Sequence, residues 1–270
     1  MPLTRNGSHA VHYRTWGEPD APALLMIMGL GLSCHAWDAL PERLATRMRV
    51  LAFDHRGTGF SGPASWACSM AQLASDARAV LDAESIPAAF VFGISMGGMV
   101  AQELALRWPE RVRALALGAT FASFRASEKL SLDALLDLIL LNCGPRFATA
   151  DRVGRLLVSP PFRERAWNWL RGDVGQARTL RSGLSQLAAV VRHGPAERLR
   201  ALKVPTLVIS GDADRVIPLE NSYRLAALIP EAKLHVLRGA GHVFPLERED
   251  ETVGLLLAHF ADSTRSAACG

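Results

Sequence analysis

Gly93-Ile94-Ser95-Met96-Gly97-Gly98 constrains this chain more than any other stretch. It follows the apolar run Ala88-Ala89-Phe90-Val91-Phe92 and opens the helical pattern Met99 to Leu106. A serine flanked by Gly93 and Gly97, between a strand and a helix, predicts a turn too tight for side chains on either flank. Such a turn strains the serine backbone. It lifts the Ser95 hydroxyl above the edge of a sheet, where the helix N-terminus aims its free N–H groups at whatever the hydroxyl meets.

A serine hydroxyl is a poor nucleophile until a base takes its proton, and a histidine base needs a carboxylate to hold its tautomer. In a strand–turn–helix setting of this kind the chain order is serine, acid, histidine. Downstream, Val204 to Ser210 reads as a buried strand that ends in Gly211-Asp212-Ala213-Asp214. Ala232 to Leu237 reads as another strand, followed by Arg238-Gly239-Ala240-Gly241-His242. Asp214 and His242 therefore each fall just past a strand end, the edge where ligands collect in open α/β sheets.

Four blocks in this order make the chain resemble the α/β-hydrolases of the cap-bearing kind, which include esterases, lactonases, carbon–carbon bond hydrolases and cofactor-free haloperoxidases. They are Met28-Gly29-Leu30-Gly31, Asp54 to Ser61, Gly93 to Gly98, and Gly211 to Pro218 together with Gly241-His242. The resemblance spans about residues 9 to 261 and implies a catalytic triad of Ser95, Asp214 and His242. Its G-x-x-D-x-x-x-P pattern, on Gly211, Asp214 and Pro218, favours Asp214 over Asp212, which is left to brace the loop. It implies an oxyanion hole from the backbone N–H groups of Leu30 and Met96. The family's usual loop histidine is Met28 here, which leaves the backbone donors but removes a side chain that braces the loop. Met28, Phe121, Trp167 and Val243 are the expected substrate-facing residues.

The architecture expected is an α/β fold, a mostly parallel sheet flanked by helices, with a helical cap inserted after the sixth strand. Residues 1–120 form the first part of the core, 121–202 the cap, 203–262 the second part, and 263–270 a flexible tail. The alternating run His9 to Trp16 reads as an early antiparallel strand, and Trp37 to Met48 as a helix. The last helix is expected to end near Ala261. In the insert the pattern is helical, with breaks at Gly144-Pro145, Ser159-Pro160-Pro161, Gly172 and Gly194-Pro195, and with Phe124, Leu136, Phe162, Trp167 and Trp169 as candidate pocket walls.

Charge and composition exclude other classes. The net charge is +4, and it is spread through clusters of mixed sign such as Glu197-Arg198-Leu199-Arg200, which read as solvated helix faces rather than a nucleic-acid surface. The start of the chain carries no apolar signal core, and no apolar run is long enough to span a bilayer, so the expectation is a cytoplasmic protein without membrane partners. Cys34, Cys68, Cys143 and Cys269 fit no zinc or redox spacing and read as free thiols in a reducing compartment. His55 reads as part of a structural turn in which Asp54 and Arg56 tie loops together. His12, His35, His193, His235 and His259 read as surface or core residues. No metal-ligand spacing or dinucleotide fingerprint appears, so no cofactor is expected, and the partner is a small-molecule substrate. Three functions follow. One is hydrolysis of an ester, thioester or lactone with an apolar acyl part. The second is carbon–carbon bond hydrolysis or perhydrolysis with the same triad. The third is a retired hydrolase that only binds. The oligomeric state is left open.

Overall fold

The computed structural model describes residues 2–64, 68–142, 149–174 and 180–268. Its frame is an eight-stranded sheet of β1 (Leu3–Asn6), β2 (His9–Trp16), β3 (Ala23–Ile27), β4 (Arg49–Phe53), β5 (Ala89–Ile94), β6 (Val112–Gly118), β7 (Thr206–Gly211) and β8 (Lys233–Leu237). The order is β1-β2-β4-β3-β5-β6-β7-β8. β1 and β2, and β2 and β4, pair antiparallel, and every other pair is parallel. β3, β5 and β7 are buried at every position, as strands covered on both faces must be.

The helices are α1 (Leu40–Leu44), α2 (Met70–Ala83), α3 (Met96–Arg107), α4 (Leu132–Asn142), α5 (Ala150–Leu157), α6 (Arg163–Val174), α7 (Leu180–Arg192), α8 (Ala196–Leu199), α9 (Glu220–Leu228), α10 (Phe244–Glu247) and α11 (Glu249–Ala268). Alternate strand residues sort them into two layers. Leu25, Ile27, Val91, Leu115 and Val208 pack with apolar residues of α2, α3 and α9. Leu24, Met26, Phe90, Phe92, Ala116 and Ile209 pack with residues of α1 and α11.

Between β6 and β7 the chain forms α4 to α8. Ser159-Pro160-Pro161 ends one helix and starts the next, because proline disfavours helix in the residue before it. Gly194-Pro195 likewise separates α7 from α8. Gly144-Pro145 lies outside the described residues. Gly172 is not a break but a residue of α6, with open space where a side chain would sit. An exposed glycine inside a helix costs about 1 kcal/mol, too little to end it.

Three further boundaries differ from the sequence reading. Trp37 to Met48 is not one helix. A single 3-10 turn at Cys34–Trp37 is cut off from α1 by Asp38, whose φ of 53° is outside the helical region. β1 was not expected, since a four-residue edge strand with half its residues exposed has no clear pattern. The expected tail from residue 263 begins instead as helix. α11 continues to Ala268, with the Ser263 hydroxyl donating to His259 O and Phe260 O at 3.0 Å.

Where the insert returns to the sheet, a buried polar chain joins it to α3. Gln102 donates through Nε2 to Phe121 O at 3.0 Å, which leaves its Oε1 to accept from His193 Nε2 at 3.1 Å. Phe124 N donates to His193 O at 3.0 Å. Burial pushes the His193 imidazole down to about 4, with Glu103 opposing and Arg198 adding to the shift. The unfolded chain thus takes up a proton near pH 6.5 that the folded chain refuses until about pH 4. The contribution of His193 to stability is whole above pH 6.5 and is lost as pH falls toward 4. Urea unfolding at pH 7 and pH 4.5 should show His193→Gln losing about 2 kcal/mol less stability on acidification than the wild type. Equal losses would show that His193 does not set the acid limit.

Candidate active site

β5 ends at Ile94 and α3 begins at Met96, so Ser95 alone makes the turn. Its φ of 56° and ψ of −123° lie outside the regions open to most side chains, at a cost of about 1–3 kcal/mol. The surroundings hold it there. Ser95 N donates to Gly118 O on β6 at 2.8 Å, and Ser95 O accepts from Thr120 Oγ1 at 2.8 Å and from Gly98 N at 3.0 Å. The glycines serve close approach. A Cβ on Gly93 would lie 2.3 Å from Gly97 O, and one on Gly97 would lie 2.0 Å from Ile27 O and 2.6 Å from Met28 O. Bare backbone therefore lets the start of α3 press against the loop that leaves β3.

That loop, Met28 to Gly31, passes directly beside the serine. A Cβ on Gly29 would lie 3.3 Å from Ser95 Cβ and 3.8 Å from Ser95 Oγ. Leu30 follows Gly29 and Met96 follows Ser95, so the two expected oxyanion donors adjoin this close contact. Met96 N–H belongs to the first turn of α3, where no intrahelical acceptor exists. The loop is braced by a group the sequence reading gave only a structural role. His55 Nε2 donates to Met28 O at 2.9 Å. His55 is fully buried, and burial holds its imidazole below the usual range, which leaves it neutral with the proton on Nε2. The brace lost with the family histidine is therefore supplied from the next block, by a residue adjoining Asp54.

Asp214 and His242 lie on the loops after β7 and β8, on the same edge of the sheet as Ser95. His242 Nδ1 donates to Asp214 Oδ2 at 2.8 Å. The other oxygen, Oδ1, accepts from Val216 N at 2.7 Å and Ile217 N at 2.9 Å. A carboxylate so placed accepts a hydrogen bond from Nδ1–H, which keeps the proton on Nδ1 and leaves Nε2 as the lone-pair nitrogen. Asp212 braces the loop instead, accepting from Gly239 N at 2.6 Å. The histidine loop is tied to the insert as well. Glu247, a buried acid missed in the sequence, accepts from Gly241 N at 2.8 Å and Ser159 N at 3.0 Å, and Val243 N donates to Leu157 O at 2.9 Å. No local pattern announces Glu247, because its partner Ser159 lies 88 positions away.

The expected substrate-facing residues separate into three places. Trp167 and Val243 both pack against one apolar cluster, centred on Val153, Val158, Ala166, Leu170 and Leu246, and Val243 directly follows His242 in the chain. Met28 is 3 % exposed and packs under its loop with Cys34, Trp37 and Phe92. Phe121 is buried between Phe124 and His193 at the root of the insert. Leu136 is exposed on α4 and belongs to no such wall.

Among the described residues, one group of possible metal ligands is His12, Cys34 and Asp54. The carboxylate there is already occupied. Asp54 accepts from His12 Nδ1 and Cys34 N, each at 2.7 Å, and from Phe60 N at 2.9 Å. With Arg56 donating twice to Asp76, at 2.7 and 2.6 Å, this is the loop tie expected of the Asp54 block. Cys34 and Cys68 are buried free thiols, and burial pushes the Cys68 thiol up to about 11. Cys143 and Cys269 lie outside the described residues. His35 hydrogen-bonds with Arg14, His235 with Glu251 and His259 with Leu115 O. Among the described residues no helix is long and apolar enough to cross a membrane.

Comparison with known proteins agrees with this geometry. The family model described as the alpha/beta hydrolase fold matches residues 22–249. The chain is 34% identical over 261 residues to a 2-hydroxymuconate semialdehyde hydrolase from Pseudomonas sp. strain CF600, covering 90% of this chain and 88% of that one. It is 28% identical to the rhodomycin D methylesterase DauP of a Streptomyces species, covering 92% and 94%. Among solved structures, the enol-lactonase from Burkholderia xenovorans LB400 superposes with a TM-score of 0.81 at 25% identity, covering 96% of this chain and all of that one. The chain belongs to the α/β-hydrolase family, and it is a hydrolase.

The tight contact at Gly97 is open to a direct test. Gly97→Ala drives a methyl group into two backbone oxygens, an overpacking cost of about 3 kcal/mol, or a Tm lower by roughly 6–12 °C. Gly172→Ala, in open space on α6, should hold or slightly raise the Tm. A Gly97→Ala protein as stable as the wild type would mean that the turn does not need the bare backbone.

Proposed function

We propose that this hydrolase cleaves a carboxylic ester, thioester or lactone with an apolar acyl part, through Ser95, His242 and Asp214. The observation that carries the reading is the hydrogen bond between His242 and Asp214. Asp214, itself held by two backbone N–H groups, accepts from Nδ1–H and so leaves Nε2 free to act as a base on the sheet edge that carries Ser95. In the reaction, His242 Nε2 accepts the Ser95 proton as the oxygen attacks the carbonyl carbon. Negative charge moves to the carbonyl oxygen, and the N–H groups of Leu30 and Met96 stabilise it, each such donor contributing about 3 kcal/mol to the transition state. The tetrahedral adduct collapses, and His242 returns the proton to the leaving oxygen or sulfur. A water, deprotonated by His242, then attacks the acyl-enzyme and releases the acid and Ser95. No metal or cofactor enters these steps.

Carbon–carbon bond hydrolysis with the same side chains is a second reading, favoured by the likeness to a 2-hydroxymuconate semialdehyde hydrolase. A panel of esters, lactones and vinylogous diketones separates the two, since only the second predicts that the diketones are turned over faster.

A serine-directed phosphonate should label the wild type at Ser95, and Ser95→Ala should retain at most a few per cent of turnover while remaining folded. Asp214→Asn should lower kcat by about 10⁴, because the amide cannot hold the needed tautomer, whereas Asp212→Asn should cost far less. If Asp212→Asn proves the more damaging, the acid is misassigned by two residues.

The apolar cluster against which Trp167, Val243, Leu32 and Leu157 pack, with Val243 next to His242 in the chain, supports an apolar acyl group. Each methylene buried there contributes about 0.8 kcal/mol, so kcat/KM for p-nitrophenyl esters should rise about fourfold per carbon from acetate to hexanoate. A flat or falling series would exclude an apolar acyl pocket.

A further inference from the structure

The loop that carries Leu30 is held at three of its polar groups, and one holder comes from the insert. Met28 O accepts from His55, and Gly29 O accepts from Leu32 N at 3.5 Å, a long turn bond at the limit of hydrogen-bond reach. Gly31 N donates to Gln186 Oε1 at 2.9 Å, across 155 positions of sequence. Gln186 also donates through Nε2 to Arg56 O at 3.1 Å. Its amide is thus fixed end to end between two core loops, with no freedom to flip.

Gln186 occupies the buried face of α7. Ser182, Ser185, Gln186 and Ala189, at helical spacing, are all nearly inaccessible. Ser185 Oγ accepts from Cys68 N at 3.3 Å. A Cβ on Gly57 would lie 2.3 Å from Ser182 Oγ, so the helix is seated hard against the block that carries His55 and Arg56. A buried polar face of this kind is costly unless its groups are paired, and here the pairing reaches the residue next to Leu30.

We propose that Gln186 is a positioning residue for the oxyanion hole, so that the seated insert completes the site. This rests on the serine-hydrolase reading above. A trans peptide points Leu30 N–H opposite to Gly29 O, so the aim of Leu30 N–H follows the tilt of the Gly29–Leu30 peptide. The long Leu32 bond fixes that tilt loosely. The Gln186 bond to the next amide removes the remaining rotation, because Gly31 has a φ of 68° and, as a glycine, would otherwise swing freely. Gln186 touches no reacting atom. Its effect appears where charge has developed on the carbonyl oxygen and not where substrate merely binds.

The test compares four variants with p-nitrophenyl butyrate. Gln186→Met removes the acceptor at nearly equal volume, and Gln186→Asn keeps the polarity but is one methylene too short. Each should lower kcat by about 10–100-fold, short of the full loss of a donor, with KM within threefold. An alkyl trifluoromethyl ketone, which forms a tetrahedral oxyanion on the serine, should bind more weakly by the same factor, while the carboxylate product binds unchanged. Gln186→Glu keeps an acceptor for Gly31 N–H and, as the neutral acid that burial favours, a donor for Arg56 O, and should recover at least tenfold of the lost kcat. Ser185→Ala loosens the same helix face without touching the loop and should keep its kcat. The idea is overturned if Met and Asn variants keep wild-type kcat, if ketone and product affinities fall together, if Glu gives no recovery, or if Ser185→Ala matches Gln186→Met. The Asn variant decides the matter if the Met variant does not fold. Phosphonate labelling of wild-type Ser95 separates the two levels. Labelling with undisturbed Gln186 variants removes only the positioning role, whereas no labelling removes the serine-hydrolase reading and this role with it.

Discussion

One close backbone approach sets the rest of the site. The first turn of α3 meets the loop leaving β3 with no side chain between them, Gly97 against Ile27 O and Gly29 against Ser95. That contact brings the loop that carries Leu30 against the turn that carries Ser95 and Met96. It is available only because β3 and β5 are neighbours in the sheet and run parallel, so that both end at the same edge. The strain at Ser95 is the cost of the arrangement. Gly118 O and the Thr120 hydroxyl of the adjacent strand and its following loop offset it, one on each side of the Ser95 peptide. Burying β5 completely gives the turn a rigid base on which such strain can persist.

The insert is joined to this edge by polar contacts as well as by apolar packing. Gln186 grips the loop after β3, Ser159 and Leu157 grip the loop after β8, and His193 closes the root against α3. Loops at the carboxyl ends of parallel strands have few partners of their own, since the strands below use their hydrogen bonds within the sheet. Buried N–H groups there need acceptors from outside the core. The insert supplies them at Gly31 and Val243, and so helps to shape the loops.

The strands and the long helices could be read from the chain because each obeys one local pattern. Apolar runs marked β5 and β7, alternation marked β2 at His9–Trp16, and helical spacing from Met99 to Leu106 marked α3. The Asp214 and His242 positions were legible for a similar reason, since a strand pattern followed by a short glycine-bearing loop marks the edge. The braces were not legible. Thr120, Gln186 and Glu247 act on partners 25, 155 and 6 or 88 positions away, and nothing local distinguishes them from ordinary polar residues. His55 lay inside a recognised block, yet its partner is a backbone oxygen, which leaves no trace in residue type. The interruption at Asp38 escaped because its positive φ falls on a residue other than glycine and so leaves no signal in the sequence.

On the proposed reading, substrate choice depends on a different part of the chain from bond cleavage. The groups that would move protons and hold charge all stand at strand ends, where the sheet fixes them whatever the acyl group. The side chains that would meet that acyl group, Trp167 and Val243 among them, sit where α5 and α6 close on the histidine loop. A change in the insert can therefore alter which molecule fits without altering the chemistry, as long as the contacts at Gln186 and Glu247 survive. A relative named as a methylesterase and a solved enol-lactonase are both similar to this chain over most of its length. The constraint on divergence is then physical. Residues of α7 facing the core loops must keep their polar partners, while the apolar face of α5 and α6 is free to change shape.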